Sequence, residues 1–207
     1  MKILIMGAQG AGKGTQAETL SKIYNIPTIS TGELFRNIVS SGSELGKQIK
    51  AIIDAGALVP DDITIVLLKE RLANKDCKKG YILDGFPRTL TQAMLLDSIT
   101  KIDKVVFLDI DFDTVVARIA GRRTCPKCGH IHNINFAGDK NKCSLCGTKY
   151  VVRSDDTEES IKKRLETFSK QTLPIVDYYK KQGKVLTVDA NKTPATVLEQ
   201  IVKGLGK

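Results

Sequence analysis

The chain has 207 residues, a formal net charge of +9 and a hydrophobic fraction of 42%. This length allows one substantial core with an inserted subdomain, and no apolar run approaches the length of a membrane span, so we expect a globular cytoplasmic protein with no membrane partner. The first apolar run is also too short for a secretory signal. The excess of basic residues suits a polyanionic ligand, either a nucleic acid or a small phosphate compound.

A glycine-rich segment follows the first predicted strand. Residues 3–6 are apolar, residues 7–15 read GAQGAGKGT, and an amphipathic helix is predicted to follow. Glycine permits backbone conformations in which successive N–H groups surround an anion at a helix N-terminus, and Lys13 adds a positive charge. The spacing matches the G-x-x-x-x-G-K pattern of phosphate-binding loops, with Gly14 where Ser or Thr usually follows the lysine and Thr15 one residue later. The loop therefore offers no hydroxyl at the position from which one usually binds Mg²⁺ directly.

A second anion site is predicted after the short strand 28–30. Thr31 has the chemistry of a helix N-cap, and Arg36 lies about one turn further along the same helix. A phosphate bound to the first turn and a capped helix with a surface arginine are equally compatible with this stretch. Further helices are predicted over 44–56 and from 61 to about 74.

A third candidate segment begins with the apolar strand 81–84, which ends in Asp84. A carboxylate at the end of a strand beside a phosphate loop is the group expected to order the Mg²⁺ shell, here through water. Gly85-Phe86-Pro87-Arg88 follows at once, so Arg88 projects from the edge where ligands bind in open α/β sheets. Gln92 can pair with an adenine edge through its amide, although a lone glutamine on a helix is more often simply exposed.

The strand predicted at 105–108 leads into a predicted helix over 113–123. Arg118 and Arg122 stand four residues apart on that helix, with Arg123 adjacent. Like charges at this spacing repel by a few tenths of a kcal/mol, a cost that an anionic ligand reverses.

Two C-x-x-C pairs follow, formed by Cys125, Cys128, Cys143 and Cys146. Their separation is typical of a structural zinc site, in which four thiolates leave no open coordination position. The segment 133–142 is too polar to hold a core of its own, and a bound metal can hold it instead.

Carboxylates at Asp155 and Asp156 precede a long predicted helix that carries Arg164. They suit either the helix N-terminus or ion pairs with arginines of the cysteine segment. A last strand is predicted at 185–188, and Thr193-Pro194 begins the final helix.

Together these motifs resemble the adenylate kinases of bacteria that carry a zinc-containing lid, over the whole chain. The resemblance implies an α/β P-loop NTPase fold, with three α/β/α layers and a central parallel five-stranded sheet. It also implies a single kinase domain over 1–207, with a core of 1–29, 60–120 and 157–207. An AMP-binding insertion at 30–59 and a zinc-binding lid at 121–156 complete it.

The same resemblance assigns roles residue by residue. It implies ATP binding by Gly10, Ala11, Gly12, Lys13, Gly14, Thr15, Arg118, Arg122, Ile131, His132 and Lys192. It implies AMP binding by Thr31, Arg36, Ala57, Leu58, Val59, Gly85, Phe86, Pro87, Arg88, Gln92, Arg153 and Arg164. The catalytic set is Lys13, Arg88, Arg122, Arg153 and Arg164, and the zinc ligands are Cys125, Cys128, Cys143 and Cys146. Two positions depart from the usual pattern, because Gln9 replaces proline and the fourth metal ligand is Cys146 where some relatives have aspartate.

The expected activity is the reversible, Mg²⁺-dependent transfer of a phosphoryl group from ATP to AMP, which gives two ADP. We expect a monomer whose partners are ATP, AMP and ADP, with no nucleic acid. Two alternatives remain: a kinase for UMP, CMP or GMP, and a zinc-ribbon protein that binds nucleic acid. The basic residues near the cysteines are not interleaved with the aromatic residues on which bases stack, which argues against the second alternative.

Overall fold

A parallel sheet of five strands lies at the centre of residues 1–135 and 138–206, which are the residues that the computed structural model describes. Residues 136–137, within the segment 121–156, and residue 207 lie outside them. The strands are β1 (Lys2–Gly7), β2 (Thr28–Ser30), β3 (Tyr81–Asp84), β4 (Lys104–Asp109), β5 (Arg122–Thr124), β6 (Ile131–Asn133) and β7 (Val185–Asp189). The central sheet has the order β2-β3-β1-β4-β7, and β5 pairs with β6 in a separate antiparallel ribbon.

Helices cover both faces of the central sheet. They are α1 (Lys13–Tyr24), α2 (Thr31–Ser40), α3 (Glu44–Asp54), α4 (Asp61–Leu72), α5 (Leu90–Ile99), α6 (Phe112–Ala120), α7 (Glu158–Thr167), α8 (Leu173–Lys180) and α9 (Pro194–Gly204). A 3₁₀ turn at Lys75–Lys79 follows α4, and a π-helical turn at Phe168–Thr172 joins α7 to α8. None of the helices in the described ranges has the length and apolar character needed to cross a bilayer.

The core lies in two layers, one on each face of the sheet. One layer joins Leu4 of β1 to Leu96 of α5 and Tyr179 of α8, and the other joins Ile5 to Leu20 of α1. Strands buried on both faces read as continuous apolar runs, which is why the sequence predicts them so directly. The predicted α/β/α fold with a parallel five-stranded sheet is confirmed.

The predicted helix over 113–123 is wrong at its C-terminal end. Helix α6 ends at Ala120, because Gly121 turns the chain and Arg122 enters β5, where it pairs with Asn133. Arg118 and Arg122 therefore do not form a helical i, i+4 pair, and the repulsion argued from that spacing does not apply.

The predicted cap at Thr31 is also wrong. Ser30 is the N-cap of α2, and Thr31 is the first helical residue, with its hydroxyl donated to the carbonyl of Gly85 over 2.9 Å. Parallel pairing of Ser30 with Asp84 in the sheet extends β2 to the helix start and shifts the cap by one residue. Thr31 therefore joins α2 to the end of β3.

At the start of α7 the cap is Thr157, whose hydroxyl accepts the N–H of Ser160 over 3.3 Å. Asp155 and Asp156 lie before the helix, and each forms an ion pair with an arginine. The predicted ion pair with an arginine of the cysteine segment is confirmed for Asp156, whose partner is Arg122, whereas Asp155 pairs with Arg164 of α7.

Candidate active site

The loop between β1 and α1 wraps around the first turn of the helix. Gly12 is the N-cap, with a φ of 93°, a conformation that side chains disfavour. The ammonium of Lys13 donates to the carbonyls of Gly7 and Ala8, at 2.8 and 2.9 Å. Removal of this ammonium from water lowers its pKa to about 8, and the charge of Asp84 acts in the opposite direction. An anion in the loop would favour the protonated lysine and raise that pKa again.

Asp84 lies at the carboxyl end of β3, beside this loop. Its strand register places it level with Ile5 of β1 and Ser30 of β2. A β-carbon built on Gly14 would lie 3.9 Å from the Oδ2 atom of Asp84, so the carboxylate faces the start of α1. This placement fits a group that orders a hydrated cation next to bound phosphates.

Six arginines from different parts of the chain line one cavity: Arg36, Arg88, Arg118, Arg122, Arg153 and Arg164. Burial, followed by repulsion from Arg122 and Arg36, lowers the pKa of Arg153 to about 10. Burial also lowers the pKa of Arg88, against the attraction of Asp84. Because like charges crowd at low dielectric, this cluster favours an anionic ligand.

Two carboxylates offset part of that charge. Asp156 accepts two hydrogen bonds from Arg122, and its contact with Nε is 2.9 Å. Asp155 pairs with Arg164 at 2.6 Å. Burial acts to raise the pKa of Asp155, but the positive charge of Arg164 and its neighbours outweighs burial and the pKa falls. The two aspartates thus hold the guanidinium groups of Arg122 and Arg164 at the cavity wall, and a bound phosphate can replace the aspartates as the partner of these arginines.

On the side of the cavity formed by α2 and β3, Gln92 is buried and fixed at both ends. Its Oε1 accepts the N–H of Arg88 over 2.7 Å, and its Nε2 donates to Asp61. Arg88 in turn donates from Nε to the carbonyl of Gly85 over 2.7 Å. Each atom of the Gln92 amide keeps one further hydrogen-bonding position, which is what an adenine edge requires.

Opposite this side, Arg118 donates to the carbonyl of Lys192 over 3.1 Å. His132 stacks on Tyr150, with ring centroids 5.4 Å apart. Ile131 reaches toward the phosphate loop, since its Cδ1 would lie 3.7 Å from a β-carbon on Gly14. The ribbon of β5 and β6 therefore folds over the loop.

All residues predicted to bind ATP, AMP or Mg²⁺ line this one cavity, which has a volume of about 1180 Å³. Phe86 belongs at the same time to the main core cluster. The end of α3 is joined to the segment before α7 and to α7 itself, because Ser154 donates to Asp54 over 3.0 Å and Arg164 donates to the carbonyl of Ile53 over 3.1 Å. All four of these residues line the cavity.

The four cysteines of the C-x-x-C pairs form a separate cluster at the base of the ribbon. Their sulfur atoms all lie within 4.8 Å of one another, with three of the separations at 3.4, 3.6 and 3.6 Å. A tetrahedral zinc ion with Zn–S bonds of about 2.3 Å separates its sulfurs by about 3.8 Å, so the four thiols fit such an ion closely. The cluster could bind zinc.

Three positioning residues were missed by the sequence reasoning. Asp61, at the start of the helix predicted from 61, accepts from the amide of Gln92 and orients it. Thr172 donates to the carbonyl of Arg88 over 2.8 Å, and Thr124 accepts from Arg153 over 3.0 Å. No motif marks the two threonines, because their partners lie 84 and 29 residues away in the sequence.

The family model and the relatives that the chain resembles are all adenylate kinases. The family model described as adenylate kinase matches residues 5–184. The chain is 49% identical over 200 residues to the adenylate kinase of Treponema denticola, with 96% of each chain covered. It is 46% identical to that of Nitrosococcus oceani, over 100% of this chain and 97% of the relative, and 44% identical to that of Clostridium perfringens, over 100% and 99%.

Proposed function

This chain belongs to the adenylate kinase family, and from that premise we propose that it transfers the terminal phosphoryl group of ATP to AMP, reversibly and with Mg²⁺, to give two ADP. It is an ATP:AMP phosphotransferase of the nucleoside monophosphate kinase type. The observation that carries the proposal is the single cavity, which is lined by the phosphate loop, the buried amide of Gln92 and six arginines.

We propose that ATP occupies the end of the cavity formed by the loop. Gly10, Ala11, Gly12, Gly14 and Thr15 would hold its phosphates through the loop, together with Lys13. Ile131 and His132 of the ribbon, with Arg118 and Lys192, would hold the adenosine. The ribbon's position over the loop supports this assignment.

AMP would occupy the other end. Thr31, Ala57, Leu58, Val59, Gly85, Phe86, Pro87 and Gln92 would surround its nucleoside, and Arg36 and Arg88 would hold its phosphate. The fixed orientation of the Gln92 amide supports recognition of adenine. Arg122, Arg153 and Arg164 would then lie around the group in transfer.

The division of the chain into parts is part of the same proposal. The core would comprise 1–29, 60–120 and 157–207, with an AMP-binding insertion at 30–59 and a lid at 121–156. In this interpretation the ribbon and the cysteine cluster belong to the lid, and α2 and α3 belong to the insertion.

The mechanism follows from the charge of the transferred group. In the transition state its negative charge is spread over the phosphoryl oxygens, so catalysis consists mainly of positioning and electrostatic stabilisation. Lys13 and the arginines of the cavity supply fixed positive charge on several sides of that group. Bound Mg²⁺ neutralises phosphate charge, and Asp84 would hold its water ligands. Closure of the cavity excludes water, which would otherwise compete with AMP as acceptor.

We further propose that Cys125, Cys128, Cys143 and Cys146 hold a structural zinc ion. A closed shell of four thiolates leaves no position for substrate, so such an ion stabilises the lid and takes no part in transfer. The short distances between the sulfur atoms support this.

We also propose a cytoplasmic monomer whose partners are ATP, AMP and ADP, without a nucleic acid or a membrane partner. The net charge of +9 would then serve the bound phosphates, and the chain should give no gel shift with DNA or RNA at moderate salt.

The test is ADP formation from ATP and Mg²⁺ with AMP, GMP, CMP or UMP as acceptor, beside a reaction without acceptor. Product with AMP alone is the expected result. Preference for another monophosphate would overturn the assignment of the acceptor end, and no transfer to any of them would overturn the proposed activity.

A further inference from the structure

The side chain of Gln9, in the phosphate loop, forms a hydrogen bond with a residue far along the chain. Its side-chain amide Nε2 donates to the Oδ1 atom of Asp156 over 3.2 Å. Its Oε1 is buried and has no hydrogen-bond partner within residues 1–135 and 138–206. The bond to Asp156 is therefore the contact that orients this amide among the described residues.

The acceptor of that bond lies at the end of the lid segment. The side chain of Asp156 is 2% exposed, and the same Oδ1 atom also accepts from Nη2 of Arg122. A carboxylate taken out of water is stable only when hydrogen bonds satisfy it. Gln9 thus supplies one of the donors that a buried Asp156 needs.

Through this contact the loop is joined directly to the lid. Gln9 belongs to the stretch between β1 and α1, whereas Asp156 and Arg122 stand at the two ends of the segment that carries the ribbon and the cysteines. The Gln9–Asp156 bond depends on the lid ends lying against the loop. A proline at position 9 carries no amide and cannot make it.

We propose that Gln9 is a positioning residue that latches the lid in its closed position through Asp156, an inference that rests on the proposed function. When Arg122 turns from Asp156 to a phosphate, Gln9 still gives the buried carboxylate a donor. The latch favours the closed state and raises the apparent affinity for ATP, because ligand affinity scales with the population of the competent state.

The test uses two readouts on wild type, Gln9→Ala and Gln9→Pro. One is the separate measurement of kcat and KM for ATP. The other is hydrogen exchange of the lid amides with the β,γ-imido analogue of ATP bound, which requires no turnover. Loss of a hydrogen bond to a charged group should raise the KM for ATP about tenfold in both variants. In both, kcat should be retained and the lid amides should exchange faster.

Gln9→Pro separates the latch from a change in loop stiffness, since proline restrains the loop but lacks the amide. Gln9→Glu places a second carboxylate against Asp156 and should open the lid further than Gln9→Ala. Adding Asp156→Asn to Gln9→Glu restores one amide and one carboxylate and should recover part of the loss. Thermal melting checks that each variant is folded.

Unchanged KM and unchanged lid exchange in Gln9→Ala would overturn the latch, as would a fall in kcat alone. Wild-type behaviour of Gln9→Pro would do the same. If wild type transfers no phosphoryl group to AMP, the proposed function fails, whereas the exchange experiment still decides whether Gln9 holds the lid.

Discussion

Arg122 is held in place by two hydrogen bonds to Asp156 and faces the cavity. Replacement by alanine removes this positive charge from the cavity wall. In phosphoryl-transfer enzymes one such arginine contributes roughly 10³- to 10⁵-fold in rate, and we expect a loss of this order in kcat for Arg122→Ala.

The matched control for this variant is Arg123→Ala. The guanidinium of Arg123 donates to the carbonyls of Ala120 and Arg122 and does not line the cavity. ADP formation should be close to wild type in Arg123→Ala. Equal rates for the two variants would contradict the role given to Arg122.

The lowered pKa of Lys13 predicts how kcat/KM for ATP depends on pH. Its pKa is lowered to about 8 by burial, so the free enzyme loses this charge as pH rises through 8. Bound phosphates should hold the proton, so kcat/KM for ATP should fall above about pH 8 while kcat persists to higher pH. Steady-state profiles from pH 6.5 to 10 measure both. In Lys13→Arg any remaining activity should lack the fall near pH 8.

The same shift has a consequence for stability. The folded chain binds this proton more weakly than the unfolded chain does, with pKa values of about 8 and 10.5. Between these values the unfolded chain holds more protons, so the contribution of Lys13 to the free energy of unfolding rises with pH over that window.

Among the elements, the turn after β3 depends on a residue without a side chain. Gly85 has a φ of 84°, and a β-carbon there would lie 2.9 Å from Oγ1 of Thr31 and 3.3 Å from Nη2 of Arg88. Gly85→Ala should raise the KM for AMP and lower the free energy of unfolding by about 1–3 kcal/mol. Initial rates at varied AMP, together with denaturant unfolding, measure both effects.

Gly42→Ala is the control, because Gly42 has a similar φ of 70° but, its chain neighbours aside, no atom of the described residues lies within 4 Å of the added carbon. Gly42→Ala therefore strains the backbone without bringing the added β-carbon against another side chain. A KM for AMP that rises equally in both variants would show that strain, and not contact with Thr31 and Arg88, causes the effect.

The cysteine cluster predicts what metal removal does to the lid. Among the described residues, its buried hydrophobic side chains are Cys125, Cys143 and Tyr150, too few for a stable core. A bound zinc ion, which contributes about 10 kcal/mol or more in small metal-binding modules, would then be the main source of order in this segment. Chelation should lower turnover and speed hydrogen exchange in the lid while the central sheet keeps its protection.

Cys128→Ser should lower zinc content, measured by metal analysis, whereas Cys77→Ser should not, because the buried thiol of Cys77 lies outside the cluster. A zinc-free chain with native turnover and a protected lid would contradict the structural role of the metal.

Element boundaries show where sequence reasoning is strong and where it fails. Strands buried on both faces and the loop before α1 were predicted well, since apolar runs and glycine spacing are local signals. The end of α6 was not, because Gly121 and the pairing of Arg122 with Asn133 depend on a strand further along the chain. Thr31 was misplaced by one residue for the same reason.

For the whole molecule, the sequence motifs predicted the members of the cavity but not the contacts between them. The orientation of Gln92 by Asp61, the bond from Thr172 to the carbonyl of Arg88 and the bond from Gln9 to Asp156 all join distant parts of the chain. Such contacts follow from how segments pack on the sheet, which composition and spacing do not encode.

One contact of this kind spans the cavity mouth, where Ser154 donates to Asp54 and Asp54 also pairs with Lys50. Ser154→Ala should leave each nucleotide's affinity for the free enzyme nearly unchanged. It should reduce the extent to which ATP tightens the binding of AMP, by roughly two- to fivefold for one hydrogen bond. Calorimetric titration with AMP, with and without the imido analogue of ATP, measures this. Full retention of the enhancement would contradict the prediction.

Ser154 and Asp54 join the two sides of the cavity, so part of the binding free energy with which one substrate closes its side would also favour closure of the other side. The factor by which ATP changes the affinity for AMP must equal the factor by which AMP changes the affinity for ATP, because the binding free energies form a thermodynamic cycle. With the coupling predicted for the Ser154–Asp54 contact, each nucleotide would act as an allosteric effector of the other within a single chain.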